Sequence, residues 1–214
     1  MPRGSAAWTV LALVRHGQSR GNVDGVIGGH SATPLTDLGH RQARATADFL
    51  HDDFGPTHLV SSDLLRARQT ALPIAQECGL ELTFDERLRE RSLGVLDGMA
   101  FNEVQERYPD LWKRLRARDP GLAPPKGETV EAVYQRVSAV IEHLVQTYPG
   151  GRVVVVSHGI AIYHAFCHIC SIGSPADGMK VFTLVDNCSV TRATYRGDYW
   201  YLSTLNERAH LDLD

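Results

Sequence analysis

WTVLALVRHGQSRGN, residues 8–22, runs through an apolar stretch and then turns abruptly into Arg, His and Gly. A continuous apolar run of this kind reads as a strand covered on both faces, the mark of a parallel sheet between helical layers. The break places Arg15 and His16 at the strand's carboxyl end, where turns, helix starts and ligands meet in open α/β sheets. A second stretch has the same form: VVVVSHGIA, residues 153–161, again ends a buried strand in His-Gly. If both strands are central and parallel, His16 and His158 emerge side by side on one edge of the sheet.

Outward from these strands the chain alternates. TPLTDLGHRQARATADFL reads as a helix with Thr36 as N-cap and Leu38, Ala45 and Phe49 on its apolar face. THLVSS (57–62) reads as a short strand, followed by a helix from Asp63 to Cys78 with Gly79 at its C′ position. LELTF (80–84) is a third strand, Met99 to Arg118 is helical with an interruption at Pro109, and DPGLAPPKG (119–127) is a loop. Val130, Val133, Val137, Val140, Ile141 and Leu144 recur at helical spacing and predict a long amphipathic helix before RVVVVS (152–157). Another helix starts after His158, and TRATY and YWYLST flank RGD as a C-terminal antiparallel hairpin. The alternation predicts an α/β fold: a three-layer α/β/α sandwich with a mostly parallel central sheet, one domain over residues 1–214, and 99–127 as a lid or insertion segment.

Composition narrows the function classes. A net charge of −3 gives no reason to expect a nucleic-acid or membrane-surface partner, and 43% hydrophobic with 22% charged residues is ordinary for a globular domain. No apolar run approaches the ~18–20 residues that span a bilayer. MPRGSAAWTV, residues 1–10, is too short and too polar for a secretory signal, so a cytoplasmic protein is expected. Cys167 and Cys170 form a CxxC inside IAIYHAFCHIC, which reads as a buried helix with free thiols. His164, His168 and Cys170 lack an acidic partner that would make them a zinc set, so no metal is assigned.

SSDLLRARQTA (61–71) carries another strand into a helix and places Arg66 and Arg68 near its start. Helical spacing sends the two to different faces, so at most one points at the strand ends. Helix N–H groups there favour an anion. Histidines and arginines gathered at the strand ends make a cationic pocket fitted to a phosphoryl group. Such a site needs a proton donor for the departing alkoxide, and Glu90 in RLRERSLGVLDGM qualifies by position. The chain has no G-x-x-x-x-G-K-[ST] loop for a nucleoside triphosphate.

RHGQSRGN, PLTDLGHRQA, SSDLLRARQTA, LRERSLGVLDG and VVVSHG, in that order, resemble the histidine phosphatase superfamily in its phosphoglycerate-mutase-like branch. The resemblance runs from about Val10 to Ser189. It implies that His16 is a nucleophile forming phosphohistidine, that Arg15 and Arg66 clamp the phosphate, and that His158 is the second pocket histidine. It further implies Asn22 on the phosphate side, Glu90 as proton donor, and Gly28, Gly29 and Gly159 as positions where backbone meets substrate. No cofactor is implied.

Mutases of that branch continue the Glu block with His-Tyr-Gly, where this chain reads ERSLG, and carry an insertion with paired arginines and a lysine. Here GGHSATPLT departs from their Gly-Trp turn, and LWKRLRARDP offers Lys113, Arg114, Arg116 and Arg118, which read as a solvated helix face or as a grip for an acidic substrate. The expected function is therefore a metal-independent phosphomonoester hydrolase acting on a small phosphorylated metabolite, as monomer or homodimer. A cofactor-dependent phosphoglycerate mutase and a non-catalytic phospho-ligand-binding protein are the alternatives. Phosphoglycerates, sugar phosphates, fructose bisphosphate and α-ribazole phosphate are all candidate substrates.

Overall fold

The structure, a computed structural model, describes residues 8–178 and 181–211. Residues 1–7, part of the stretch read above for a secretory signal, lie outside them. Strands β1 (Thr9–Arg15), β2 (His58–Ser61), β3 (Leu82–Phe84), β4 (Arg152–Ser157), β5 (Val190–Arg196) and β6 (Tyr199–Glu207) form one sheet in the order β3-β2-β4-β1-β5-β6. β3, β2, β4 and β1 are parallel; β5 and β6 add as the antiparallel hairpin.

The helices are α1 (Arg20–Val23), α2 (Asp37–Phe49), α3 (Leu65–Cys78), α4 (Phe101–Arg107), α5 (Pro109–Arg116), α6 (Val130–Thr147) and α7 (Gly159–Ile169). Because side chains alternate across a strand, Leu11, Leu13, Val153 and Val155 pack on α6 and α7. Ala12, Val14, Val154 and Val156 pack instead on α2 and α3. These two apolar cores make the three layers. α6 buries Val130, Val133, Val137, Val140, Ile141 and Leu144, as its spacing predicts.

The face of α2 differs from the expectation. Leu38, Ala45 and Phe49 are only half-buried, whereas Gly39, Ala43, Thr46 and Ala47 are buried. The helix approaches its neighbours through small residues: a Cβ at Gly39 would stand 2.1 Å from the Gln18 carbonyl oxygen. Beyond Phe49 the chain continues as a wide turn through Phe54 and closes at Gly55 with φ +56°.

Segment 99–127 folds as α4 and α5, with Pro109 opening the second helix. It packs Val104 against Ile27 and Leu96 in a third, smaller cluster. Arg15 is paired with Ser157 in the β1–β4 register, and His16 N–H extends the ladder to the Ser157 carbonyl at 2.9 Å. Ser62 N–H reaches the Val156 carbonyl at 2.9 Å. His16, His158 and Ser62 thus end three adjacent strands in a row. All four cysteines are free, and among the described residues no helix is long and apolar enough to cross a membrane.

Leu13, 1% exposed, sits in the core beneath this row, and Leu72 is 49% exposed on α3. Leu13→Ala should cost ~2–5 kcal/mol in urea denaturation, with the cavity it leaves adding to the lost transfer energy. Leu72→Ala should stay within ~0.5 kcal/mol. Equal effects would contradict the assignment of the core.

Candidate active site

His16 leaves β1 buried, 4% exposed, with Nδ1 2.8 Å from the Gly17 carbonyl oxygen. A carbonyl only accepts, so Nδ1 carries the proton and Nε2 keeps its lone pair. Arg66 Nε–H donates to that Nε2 at 3.2 Å. The rest of the Arg66 fork donates to the Ser31 carbonyl at 3.2 Å and the Gly29 carbonyl at 2.9 Å. Arg68, two residues on, turns away and lies 5.0 Å over the Phe84 ring.

Arg15 enters from the opposite side, donating through Nη1 to the Val185 carbonyl at 2.6 Å, while its buried Nε finds no partner in the protein. His158, fully buried, begins α7 and pairs its Nε2 with the Ser62 hydroxyl at 2.8 Å. The two imidazoles lie 5.2 Å apart, centroid to centroid. Burial, reinforced by Arg66 and Arg15, holds His16 well below the usual histidine range. Burial does the same to His158, with Arg66, His16 and Arg15 adding to it. Both rings are therefore neutral at neutral pH. Burial also lowers Arg15 and Arg66, opposed by the negative charge of Glu90.

Glu90 hangs from the segment after β3, its Oε1 accepting from Arg91 N–H at 2.9 Å and its Oε2 from Ile160 N–H at 3.2 Å. Gly159 lies beside it: a Cβ there would stand 3.8 Å from Arg15 Nε and 3.9 Å from Glu90 Oε2. Asn22 is exposed, its Oδ1 taken by Ser19 in a capping box and by Asn187 Nδ2 at 3.2 Å, which leaves its amide NH₂ toward solvent. Gly28 sits over Arg66, where a Cβ would stand 3.6 Å from Nη2. Gly29 has φ +41°, and a Cβ on it would fall 1.7 Å from Asp97 Oδ1. Only glycine fits there. The structure thus gathers His16, His158, Arg15, Arg66, Glu90 and Gly159, with Gly28 and Gly29 as the Arg66 support and Asn22 on the rim.

Other residues of the site carry no local sequence signal. Ser62 orients His158. Arg136 on α6 reaches the carbonyls of Arg87, Arg89 and Glu90 at 2.8, 2.7 and 3.0 Å and pins the Glu90 segment, its Nε paired to Glu128 at 2.7 Å. His30 Nε2 lies 2.8 Å from the Glu90 carbonyl oxygen. Asp97 accepts from His30 N–H, the Ser92 hydroxyl and Leu93 N–H at 3.1, 2.8 and 2.7 Å, tying the Gly29 turn to the Glu90 segment. Among the described residues no three His, Cys, Asp or Glu side chains group as a metal set. His168 pairs instead with Glu142 at 2.7 Å.

The profile of the histidine phosphatase superfamily (branch 1) matches residues 11–208. Similar proteins include "Probable phosphoglycerate mutase GpmB" of Shigella boydii, 36% identical over 206 residues, with 94% of each chain covered. Among solved structures, a mycobacterial glucosyl-3-phosphoglycerate phosphatase superposes with TM-score 0.80 at 29% identity, covering 94% of this chain and 100% of that one. Phosphoglycerate mutase of Bacillus anthracis superposes with TM-score 0.81 at 22% identity over 97% of this chain and 96% of that one, a likeness of fold alone.

The buried neutral histidines make stability pH-dependent. In the unfolded chain each titrates near 6.5, whereas in the folded protein His16 and His158 are held well below and His164 is lowered by burial to about 3. As pH falls below 6.5 the unfolded state takes up protons that the folded state refuses. The stabilisation is therefore complete above pH ~7 and lost progressively toward the folded values, each histidine adding a slope of up to ~1.4 kcal/mol per pH unit. Urea midpoints should fall steadily from pH 7.5 to 5, and His164→Phe should flatten the fall. A constant midpoint across that range would contradict the neutral pair.

Proposed function

The chain belongs to the histidine phosphatase superfamily, branch 1, and from that premise we propose that it is a phosphomonoester hydrolase working through phosphohistidine at His16. The observation that carries this reading is the Nε2 lone pair of His16, held unprotonated beside the buried Arg66 fork and flanked by Arg15 and His158. A neutral imidazole attacks phosphorus in line. Two guanidiniums and the second imidazole meet the charge on the non-bridging oxygens, and they stand in place before substrate arrives.

In the first step the His16 Nε2–P bond forms, the P–O bond to the alcohol breaks, and Glu90 passes to the departing oxygen a proton brought in on the phosphate monoanion. In the second, Glu90 takes a proton from water, the new hydroxide attacks phosphorus, and the P–N bond breaks to release inorganic phosphate. The charge on the phosphoryl group is met by side chains, so the reading assigns no metal and no cofactor.

Hydrolysis is favoured over mutase chemistry by the state of the basic run on α5 and the turn after it. A mutase must regrip a doubly anionic substrate. Arg114 is committed to Asp119 at 2.6 Å and to the Gly121 carbonyl at 3.0 Å, and Arg116 stacks 5.8 Å from the Trp112 ring. Arg118 of the run borders the cavity between α5 and α7. The name borne by the Shigella relative supports the mutase alternative. The placement of the Glu90 carboxyl beside Gly159, near the Arg15 guanidinium, supports an enzyme over a protein that only binds phospho-ligands. The net charge of −3 supports a free phosphorylated metabolite as substrate, in the cytoplasm, over nucleic acid or a membrane surface.

Rapid quench with a ³²P-labelled alkyl phosphate should leave acid-labile label on the wild-type protein and none on His16→Ala; label persisting on the variant would sink the assignment. With 3-phosphoglycerate, release of inorganic phosphate supports hydrolysis, and conversion to the 2-isomer without release supports the mutase. Glu90→Gln should slow phosphorylation by an alkyl ester ~10²–10⁴-fold, the usual worth of a positioned acid. The loss should be far smaller for p-nitrophenyl phosphate, whose phenolate leaves without a proton. Equal losses in the burst phase would remove Glu90 from the role.

A further inference from the structure

On the Glu90 side of the catalytic cluster lies a cavity of about 620 Å³ between the end of α5, the start of α7 and the residues Pro175, Val181 and Phe182. It adjoins the site: Ile160 and Arg91, whose backbone N–H groups hold the two Glu90 oxygens, both form part of its wall. An oxygen protonated by Glu90 therefore departs beside this cavity. Pockets of ~300–1,000 Å³ take ligands well beyond a two- or three-carbon alcohol.

Most of the wall is apolar, with Leu115, Leu122, Val130, Val181 and Phe182 facing inward. Five polar side chains interrupt it, of which Asp119 is spent on Arg114 at 2.6 Å and the Tyr163 hydroxyl on the Val181 carbonyl at 2.8 Å. His164 is 1% exposed, its Nδ1 has no hydrogen-bond partner in the protein, and its ring lies 5.5 Å from Tyr163 and 6.2 Å from Tyr134. Arg91 spends Nε on the Glu128 carbonyl at 3.1 Å and Nη2 on the Leu122 carbonyl. Arg118, in the left-handed region at φ +52°, lays its guanidinium 3.9 Å over the Phe182 ring. Among the described residues it pairs with no carboxylate. An apolar chamber with an unsatisfied buried imidazole inside and an uncompensated cation at its rim is built for a particular kind of group.

We propose that this cavity receives the alcohol half of the substrate, and that this alcohol is a bulky, mainly apolar or aromatic group bearing an anion that Arg118 holds at its far end. The proposal rests on the hydrolase reading and deepens it by naming the class of leaving group. The ring of the alcohol packs on Phe182 and the aliphatic wall, while His164 is placed to exchange one hydrogen bond with it.

Ethyl phosphate, 2-phenylethyl phosphate and 2-(4-carboxyphenyl)ethyl phosphate test this, because all three release a primary alkoxide and differ in what enters the cavity. Wild-type kcat/KM should rise about 10- to 100-fold from the ethyl to the phenylethyl ester, the worth of burying a phenyl ring. The carboxylate should add about two- to five-fold more, as a partly exposed ion pair would. Phe182→Ala should narrow the first ratio and Arg118→Ala should erase only the second. Calorimetric binding of the same esters to His16→Ala gives a readout without turnover. Phosphate release from none of them, with the phenylethyl ester still bound at least tenfold tighter than the ethyl ester, would reject the hydrolase reading and uphold the cavity. Equal binding of the three esters would overturn the cavity proposal whatever the turnover.

Discussion

A guanidinium buried beside a neutral imidazole is the constraint around which this protein is built. Among the described residues Arg66, 2% exposed, makes no ion pair; its donors end on an imidazole nitrogen and two backbone carbonyls. Burying a cation without a paired carboxylate is costly, and the carbonyl dipoles and the more distant charge of Glu90 offset only part of that cost. Burial, reinforced by the Arg66 charge, keeps both histidines unprotonated.

The support of that guanidinium reaches far through the fold. Gly29 and Ser31 supply the carbonyls, and Asp97 fixes their turn through His30 N–H while also holding Ser92 and Leu93. Arg136 clamps the same Glu90 segment from α6. His16, Arg66 and the Glu90 segment are therefore parts of one hydrogen-bonded frame. The α4–α5 segment packs on Ile27 and Leu96, neighbours in sequence of the turn and of Asp97.

Much of this was legible along the chain because the pertinent signals are local. Two apolar runs ending in His-Gly locate neighbouring strand ends, since a parallel ladder in register brings equivalent positions together. The valine spacing of α6 likewise marks its buried face. The face of α2 was misread because its contacts are made by small residues, whose burial comes from backbone closeness and leaves no hydrophobic stripe. Arg136 and Asp97 were illegible for a different reason. Arg136 meets the Glu90 carbonyl across 46 residues, and His30 meets Asp97 across 67. A polar side chain bonded at such separation has the same local context as one in solvent. The apolar cavity, assembled from α5, α7, Pro175, Val181 and Phe182, is equally a product of tertiary approach.

The placement of β1 also bears on how the chain is made. It lies in the middle of the sheet, between β4 and β5, although it precedes both in the chain. His16 cannot acquire its ladder bond to Ser157, nor Arg15 its bond to the Val185 carbonyl, until those residues have left the ribosome. At ~5–20 residues per second that interval is on the order of ten seconds. Through it, an apolar strand carrying two of the site's charged or nucleophilic groups has neither of its partners. A protein arranged in this way emerges with its centre open, and chaperones that shield nascent apolar strands have the whole of that interval in which to act.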